Sequence, residues 1–346
     1  SLATDLHGRF QLSNLKPGTC HLKAIFVGYR SQTQVHTLQA GQKYPIELNL
    51  EPDPILLKAE TDPKTVSAKD LMRRLVQQDR VGFLHMQYKD VRDYAFSAHA
   101  IQKVLRRYRG TKLGNMEYYI QGYYREPEQY KQSIVGFRKN GTWRFSMSPG
   151  ITDSPAKGGV GKDTFEISPH PLEPKGLEFY HFETAATIQM GDIQVARISI
   201  SPRKSKRPGL IGYIWVAVGN AALVGYDLRL NQSAMVQAQP LEHWQVYQQN
   251  ALFYDRYWLP IRQTWDIHGT SVKGKTTIEF YHYDLNPGVE DKHFKGPDLQ
   301  ILPEAAQRDS TFWTTHAAGL DTLHTHYEKT LSNTDLPTAW SRSLGP

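Results

Sequence analysis

From Tyr94 to Asp284 apolar and polar residues alternate in short runs with a period of two, the signature of strands with one face toward a core. The series opens with Tyr94-Ala-Phe-Ser-Ala-His-Ala-Ile, Tyr118-Tyr-Ile-Gln-Gly-Tyr-Tyr, Ser133-Ile-Val-Gly-Phe-Arg and Trp143-Arg-Phe-Ser-Met. After a long polar stretch come Glu178-Phe-Tyr-His-Phe, Gln194-Val-Ala-Arg-Ile-Ser-Ile, Leu210-Ile-Gly-Tyr-Ile-Trp-Val and Leu223-Val-Gly-Tyr-Asp-Leu-Arg-Leu. Tyr247-Gln-Gln-Asn-Ala-Leu-Phe, Trp258-Leu-Pro-Ile-Arg-Gln-Thr-Trp and Lys275-Thr-Thr-Ile-Glu-Phe-Tyr-His-Tyr close the set, with Pro260 marking an edge strand. Turn signals at Lys139-Asn140-Gly141-Thr142 and His268-Gly269 separate neighbours. About ten strands in a row with almost no helix between them predict an antiparallel meander, each strand beside the next.

The helical period of 3.6 surfaces only at the margins of that series. Ser67 is placed as an N-cap, Asp70 lies in the first turn, and Leu71, Met72, Leu75 and Val76 fall on one face with Arg73 and Arg74 opposite. The segment before it, 51–66, carries Pro52, Pro54 and Pro63 and reads as a linker with one short strand. Residues 309–331 predict further helices, with Asp309 and Asp321 as N-caps, Gly319 as a break, and Phe312, Trp313, Leu320, Leu323, Tyr327 and Leu331 at helical spacing.

Residues 5–50 predict short strands joined by turns. Gly8 frees one turn, Phe10 and Leu12 alternate with Arg9 and Gln11, and Lys16-Pro17-Gly18 makes a second turn with Pro17 ahead of a positive-φ glycine. Leu22, Ala24 and Phe26 alternate up to Gly28-Tyr29, Ala40-Gly41 turns again, and Ile46, Leu48 and Leu50 form a last strand. The order Thr4, Asp5, Gly8, Phe10, Leu12, Leu15, Pro17, Gly18, Leu22, Gly28, Tyr29 resembles the carboxypeptidase-regulatory-like (transthyretin-like) domain, with Cys20 where an aromatic is usual. The resemblance implies a binding and spacing module without catalytic residues. It also implies opening strands ahead of Ser1, or an edge left for another strand to pair.

Further along, Ile200-Ser201-Pro202, the G-Y-I-W-V of Gly212 to Val216, the D-L-R-L-N of Asp227 to Asn231 and Tyr257-Trp258-Leu259-Pro260 stand out, with Asp309-Ser310-Thr311-Phe312-Trp313, Leu320-Asp321 and Tyr327 after them. Together they resemble a Bacteroidetes envelope family of unknown function. That family joins a carboxypeptidase-regulatory-like domain to a half-barrel sheet like that of lipoprotein-localisation factors, and then to an outer-membrane barrel. The chain departs from the pattern in ending at Pro346 and in the replacement of an acidic tail residue near His324. The resemblance implies a Gram-negative periplasmic location at the outer membrane.

Composition narrows the chemistry. The 346 residues suffice for two or three domains, and 19 Tyr within 11 % aromatics suit a sheet. One cysteine, Cys20, excludes an internal disulfide, and no run of apolar residues is long enough for a transmembrane helix. The net charge of +7 is spread along the chain, apart from Arg203, Lys204, Lys206 and Arg207, a solvated loop or a patch for anions. Lys157-Gly-Gly-Val-Gly-Lys162 imitates a nucleotide loop. Asp163 follows where a phosphate would sit, and Pro169, Pro171 and Pro174 speak against a helix behind it. His324 and His326, with His316 nearby, point apart on a helix and make no metal pair. Glu178, Glu183, Asp192 and Glu279 show no spacing suited to acid–base work, and no nucleophile turn occurs. Aromatic alternation remains: Trp143 and Phe145, Tyr213 and Trp215, and Tyr281 with Tyr283 each share a strand face, as core or as a concavity for an acyl chain or peptide.

The expected fold is mainly β: a truncated regulatory-like β-sandwich (1–51), a linker and helix (52–84), a curved antiparallel half-barrel sheet (85–298) and a helical tail with capping helices (299–346). The expected function is a non-enzymatic, periplasm-facing binding or scaffold module, with no cofactor and no metal. Its partner is an envelope protein or peptide, or a lipid or acyl chain, and not nucleic acid. Trp143, Phe145, Tyr213, Trp215 and Tyr281 are the candidate ligand-facing residues. A lipid or lipoprotein carrier, and a hydrolase whose site the sequence does not display, are the alternatives.

Overall fold

The structure, a computed structural model, describes residues 12, 15–24, 32–49, 67–77, 90–107, 111–125, 129–140, 168–190, 193–253, 256–270 and 272–317. Near the N-terminus β1 (Gly18–Ala24) and β2 (Gln32–Leu38) form an antiparallel pair, and Gly18 holds φ +131° after Pro17 as the turn requires. The strand expected over Ile46 and Leu48 does not form: residues 42–49 join no ladder. The strand expected around Phe10 and the linker 51–66 lie outside the described residues.

The body is a large, curved, open sheet of eleven strands. β6 (Tyr180–Met190), β7 (Ile193–Pro202), β8 (Leu210–Ala217), β9 (Leu223–Leu230), β10 (Leu241–Phe253), β11 (Tyr257–Gly269) and β12 (Val272–Leu285) follow one another as an antiparallel meander. A second meander, β3 (Asp93–Arg107), β4 (Thr111–Arg125) and β5 (Gln129–Asn140), joins it by pairing β3 with β12. The expectation that every strand lies beside its sequence neighbour is therefore corrected at one seam. There the ladder from Val272↔Arg106 to Leu285↔Tyr94 closes a long loop in sequence. It is corrected again at β13 (Leu299–Ile301), which runs parallel to β5 because the chain returns from β12 along the sheet's far edge.

Pro260 does not mark an edge, since β11 is paired on both sides. The residue lies at a bulge, where Gln249↔Arg262 gives way to Asn250↔Pro260, and beyond the stretch paired with β12, so its missing N–H breaks no ladder. Pro174 does not bar a helix either. It opens α2 (Pro174–Phe179), where a first-turn proline costs no hydrogen bond, and the strand expected from Glu178 begins two residues later at Tyr180. Gly176 lets this turn close down: a Cβ there would lie 2.3 Å from the His170 carbonyl oxygen.

α1 (Ala68–Gln77) is capped as expected, Ser67 Oγ accepting from the Asp70 N–H at 3.3 Å. It is no linker. Leu71, Met72 and Leu75 are at most 3 % exposed and enter a core with Tyr180, Phe182, Ile198, Ile214, Val216, Tyr226, Leu228, Trp244, Val246 and Trp265. α3 (Gln232–Gln237) is capped by Asn231. Strand register carries the same face on to Ile278, Phe280, Ala98, Ala100, Tyr118 and Ile120, a second apolar cluster. At the far end α4 (Ser310–Ala317) is capped by Asp309, whose Oδ1 accepts from the Phe312 N–H at 2.8 Å. α4 lies on the other side of β4 and β5: Phe312 meets Tyr119 edge-on and fills the space over Gly136. No helix among the described residues is long and apolar enough to cross a membrane.

Candidate binding site on the helix-covered sheet face

The face beneath α1 and α2 is mostly apolar, with Thr187 on β6 and a row of polar side chains on β9 to β11 buried in it. Tyr226 on β9 pairs in register with Gln248 on β10, and Gln248 with Gln263 on β11. These positions share the alternation of Leu228, Val246 and Trp265, so their side chains point into the core. Tyr226 donates to Gln248 Oε1 at 2.8 Å, Gln248 Nε2 donates to Asn250 Oδ1 at 3.0 Å, and Asn250 Nδ2 ends the chain on the Leu223 carbonyl at 2.9 Å. Burial raises the Tyr226 phenol, which keeps its proton and acts as a donor.

His170 closes over this row from the loop before α2. Its ring meets Tyr226 edge-on, centroids 6.2 Å apart, and only 3 % of the residue is exposed. Nδ1 accepts from the Leu172 N–H at 3.3 Å, which places the proton of the neutral ring on Nε2. Burial pushes its pKa down to about 3, so the ring is uncharged at neutral pH. Nε2 is buried and has no hydrogen-bond partner, and the same holds for Gln263 Oε1 on β11. Buried polar atoms in native proteins are nearly always paired, so each of these atoms, like Gln102 Oε1 on β3, has bonding capacity left for one more group.

The opposite face carries a polar lane beside two small apolar clusters. Arg262 holds the buried carboxylate of Glu279 at 2.7 and 3.0 Å, and Glu279 neighbours His99 in register. His99 Nε2 lies 2.8 Å from Glu117 Oε1, and Arg138 pairs with the other oxygen. Burial alone would raise the Glu117 carboxyl, but these two partners hold it below its usual range. Arg138 also stacks 4.5 Å over the Trp313 ring, tying α4 to the sheet. This lane supplies cross-strand order, with His99 Nδ1 left without a hydrogen bond.

Among the residues singled out in the sequence, Tyr213 and Trp215 lie on this polar side, away from α1, while Ile214 and Val216 between them enter the core. Tyr213 is 39 % exposed under the Arg197 guanidinium, and Trp215 packs on a small cluster of Val195, Ala217, Val224 and Trp258. Tyr281 belongs to β12, but its side chain lies outside the described residues, as do Trp143, Phe145, the 157–163 loop, His324 and His326. Arg203, Lys204, Lys206 and Arg207 are exposed in the β7–β8 turn. Arg207 stacks 4.1 Å over Phe179, and Asn231 anchors the turn through the Arg207 carbonyl at 2.8 Å. Among the described residues no group of three or more His, Cys, Asp or Glu side chains could hold a metal ion. The sequence reading missed Gln248, Gln263 and His170. The available signal was two glutamines standing on the apolar parity of their strands.

A family model described as a family of unknown function, DUF5686, matches residues 86–284. No curated protein matches the chain significantly. Similar solved structures include a DUF1329 family protein from Desulfovibrio piger, 15 % identical over 69 % of this chain and 100 % of that one, TM-score 0.30. Another is a putative outer membrane lipoprotein-sorting protein domain from Vibrio parahaemolyticus, 12 % identical over 66 % and 96 %, TM-score 0.30. A third is a LolA superfamily protein from Nitrosomonas europaea, 10 % identical over 67 % and 98 %, TM-score 0.26.

Proposed function

We propose that this chain, which belongs to the DUF5686 family of unknown function, is a non-enzymatic binding module that holds an apolar guest against the helix-covered face of its sheet. The observation that carries the reading is the largely apolar sheet face beneath α1 and α2, in which His170 Nε2 and Gln263 Oε1 are buried without a hydrogen bond. A guest with an apolar body would be buried by that face, and a polar group on it would bond to one of these atoms. Its setting in this proposal is the periplasmic side of a Gram-negative outer membrane, next to a carboxypeptidase-regulatory-like domain and a barrel. The sequence motifs at Gly212–Val216 and Asp227–Asn231 support that setting. Retention and release of a lipid, as in a carrier, is the form of binding that a covered apolar face favours over capture of a protein on an open surface.

Native mass spectrometry of the chain, after incubation with mixed bacterial phospholipids and single-chain lipids, tests this. The expected spectrum shows one lipid mass retained per chain. A spectrum of the bare chain alone, at lipid concentrations well above micromolar, would rule the reading out.

A further inference from the structure

We propose that the β7–β8 turn is a docking point for an anionic membrane surface, which it meets through Arg203, Lys204, Lys206 and Arg207. The inference rests on a different observation from the guest reading above and stands without it.

The turn has a fixed backbone and exposed charges. The Arg207 N–H donates to the Lys204 carbonyl at 2.8 Å, and the Arg203 N–H to the Phe179 carbonyl at 3.1 Å. Asn231 grips it from the end of β9. Its side chain donates to the Arg207 carbonyl at 2.8 Å and accepts from the Gly209 N–H at 3.3 Å, and its own N–H donates to the Gly209 carbonyl at 2.9 Å. All four cationic residues are exposed. Among the described residues none of the four meets a carboxylate: Arg203 reaches the Leu177 carbonyl at 3.4 Å, and Arg207 lies on the Phe179 ring. The other end of the sheet is built differently. There cations are matched, Arg256 with Asp90 at 3.2 Å, Arg125 with Asp291 at 2.7 Å and Lys292 with Glu290 at 2.8 Å.

The neighbouring turns extend the basic rim. α3 begins at Asn231 and leaves Val236 63 % exposed. Thr270 in the β11–β12 turn bonds to the Pro240 carbonyl beyond α3, with Lys273 exposed beside it, and strand register brings Arg106 and Lys112 to the same end. Such a rim fits a plane of mobile anionic headgroups. Long cationic side chains can each follow a separate lipid phosphate, and an exposed aliphatic residue can enter the headgroup layer. Recognition of an acidic peptide calls for cations converging on fixed carboxylates, whereas Lys204 and Lys206 are held by no side chain among the described residues.

The test is co-sedimentation of the full chain with vesicles of phosphatidylcholine, alone or with about one third phosphatidylglycerol. Binding to the anionic vesicles is expected, with little to the neutral ones. Salt at about 0.5 M should abolish it, because screening shortens the reach of each charge. Lys204→Gln with Lys206→Gln should lower the partition at least about tenfold, since each cation near such a surface carries about fivefold. The thermal midpoint should not move. The same change of charge at Lys16→Gln with Lys43→Gln, exposed on either side of β1 and β2, should leave binding as it was. Equal losses from the two pairs would trace binding to net charge and overturn the inference. Equal binding to both kinds of vesicle would trace it to the apolar face and overturn it too. Polyglutamate bound through Lys204 and Lys206 while vesicles are ignored would assign the turn to an acidic protein, and binding to neither would leave it a solvated loop; both results overturn the membrane reading.

Discussion

Leu75→Ala lowers the unfolding free energy by about 3 kcal/mol, because Leu75 is fully buried in the core beneath α1 and the sheet cannot collapse into the space left behind. α1 carries its apolar residues on one stripe and sets them on β6, β8 and α2. A linker helix would tolerate the same change within about half a kcal/mol, as exposed positions do. Urea unfolding of the full chain separates the two. A lowered midpoint with an unchanged slope is the expected result, since the loss is local to the core and the surface exposed on unfolding stays the same. An unmoved midpoint would detach α1 from the sheet.

Acidification from about pH 7 to about pH 4 costs about 3 kcal/mol through His170 alone. The unfolded chain takes up a proton on this ring near the ordinary value of about 6.5, whereas in the fold burial pushes its pKa down to about 3. Between those values the unfolded state binds more protons, so stability rises with pH across the window. The contribution is complete above about 6.5 and drains away as pH falls toward 3. Glu117, held below its usual range, and His243, lowered by burial, act in the same sense, while Asp227, raised by burial, acts against them. The difference between the unaltered chain and His170→Phe isolates the term. Chemical unfolding across pH 4 to 7 should give the variant the shallower slope, and parallel curves would show that the ring is hydrated in the fold.

How far these features were legible varies with the length scale of the cause. Ser67 through Val76 could be read in full, because a cap, a first-turn acid and an amphipathic stripe are all local. The meander from β6 to β12 was legible for the same reason, as each strand and its turn lie within a short span of sequence. The β12–β3 seam was not, since no local pattern says which distant edge a strand will seek. Pro260 and Pro174 misled for a common reason: proline's effect depends on whether its missing N–H had a role, and the bulge and the helix's first turn are places where it had none.

The motif residues on which the family resemblance rested proved to be structural. Gly212 sits at φ +140° where a Cβ would lie 2.0 Å from the Asp227 carbonyl oxygen, so β8 can approach β9 only with glycine there. Asn231 caps α3 and ties down the basic turn in one stroke. Such residues report the fold and say little about a ligand. The candidate site was hidden because its members come from a proline-flanked loop and three separate strands, and because strand aromatics are more conspicuous than glutamines. Tyr213 and Trp215 drew attention by their size, yet the alternation that makes them neighbours also turns them away from α1.

Hydrogen exchange read with and without a saturating single-chain lipid measures most directly whether the helix-covered face is where a guest lies. Exchange should slow by about tenfold or more in α1, in the Leu172–Phe179 segment and along β9 to β11, because a ligand bound to the closed form stabilises whatever must open to release it. Slowing confined to the 203–208 turn or to β1 and β2, or none at all, would place the function somewhere other than beneath these helices.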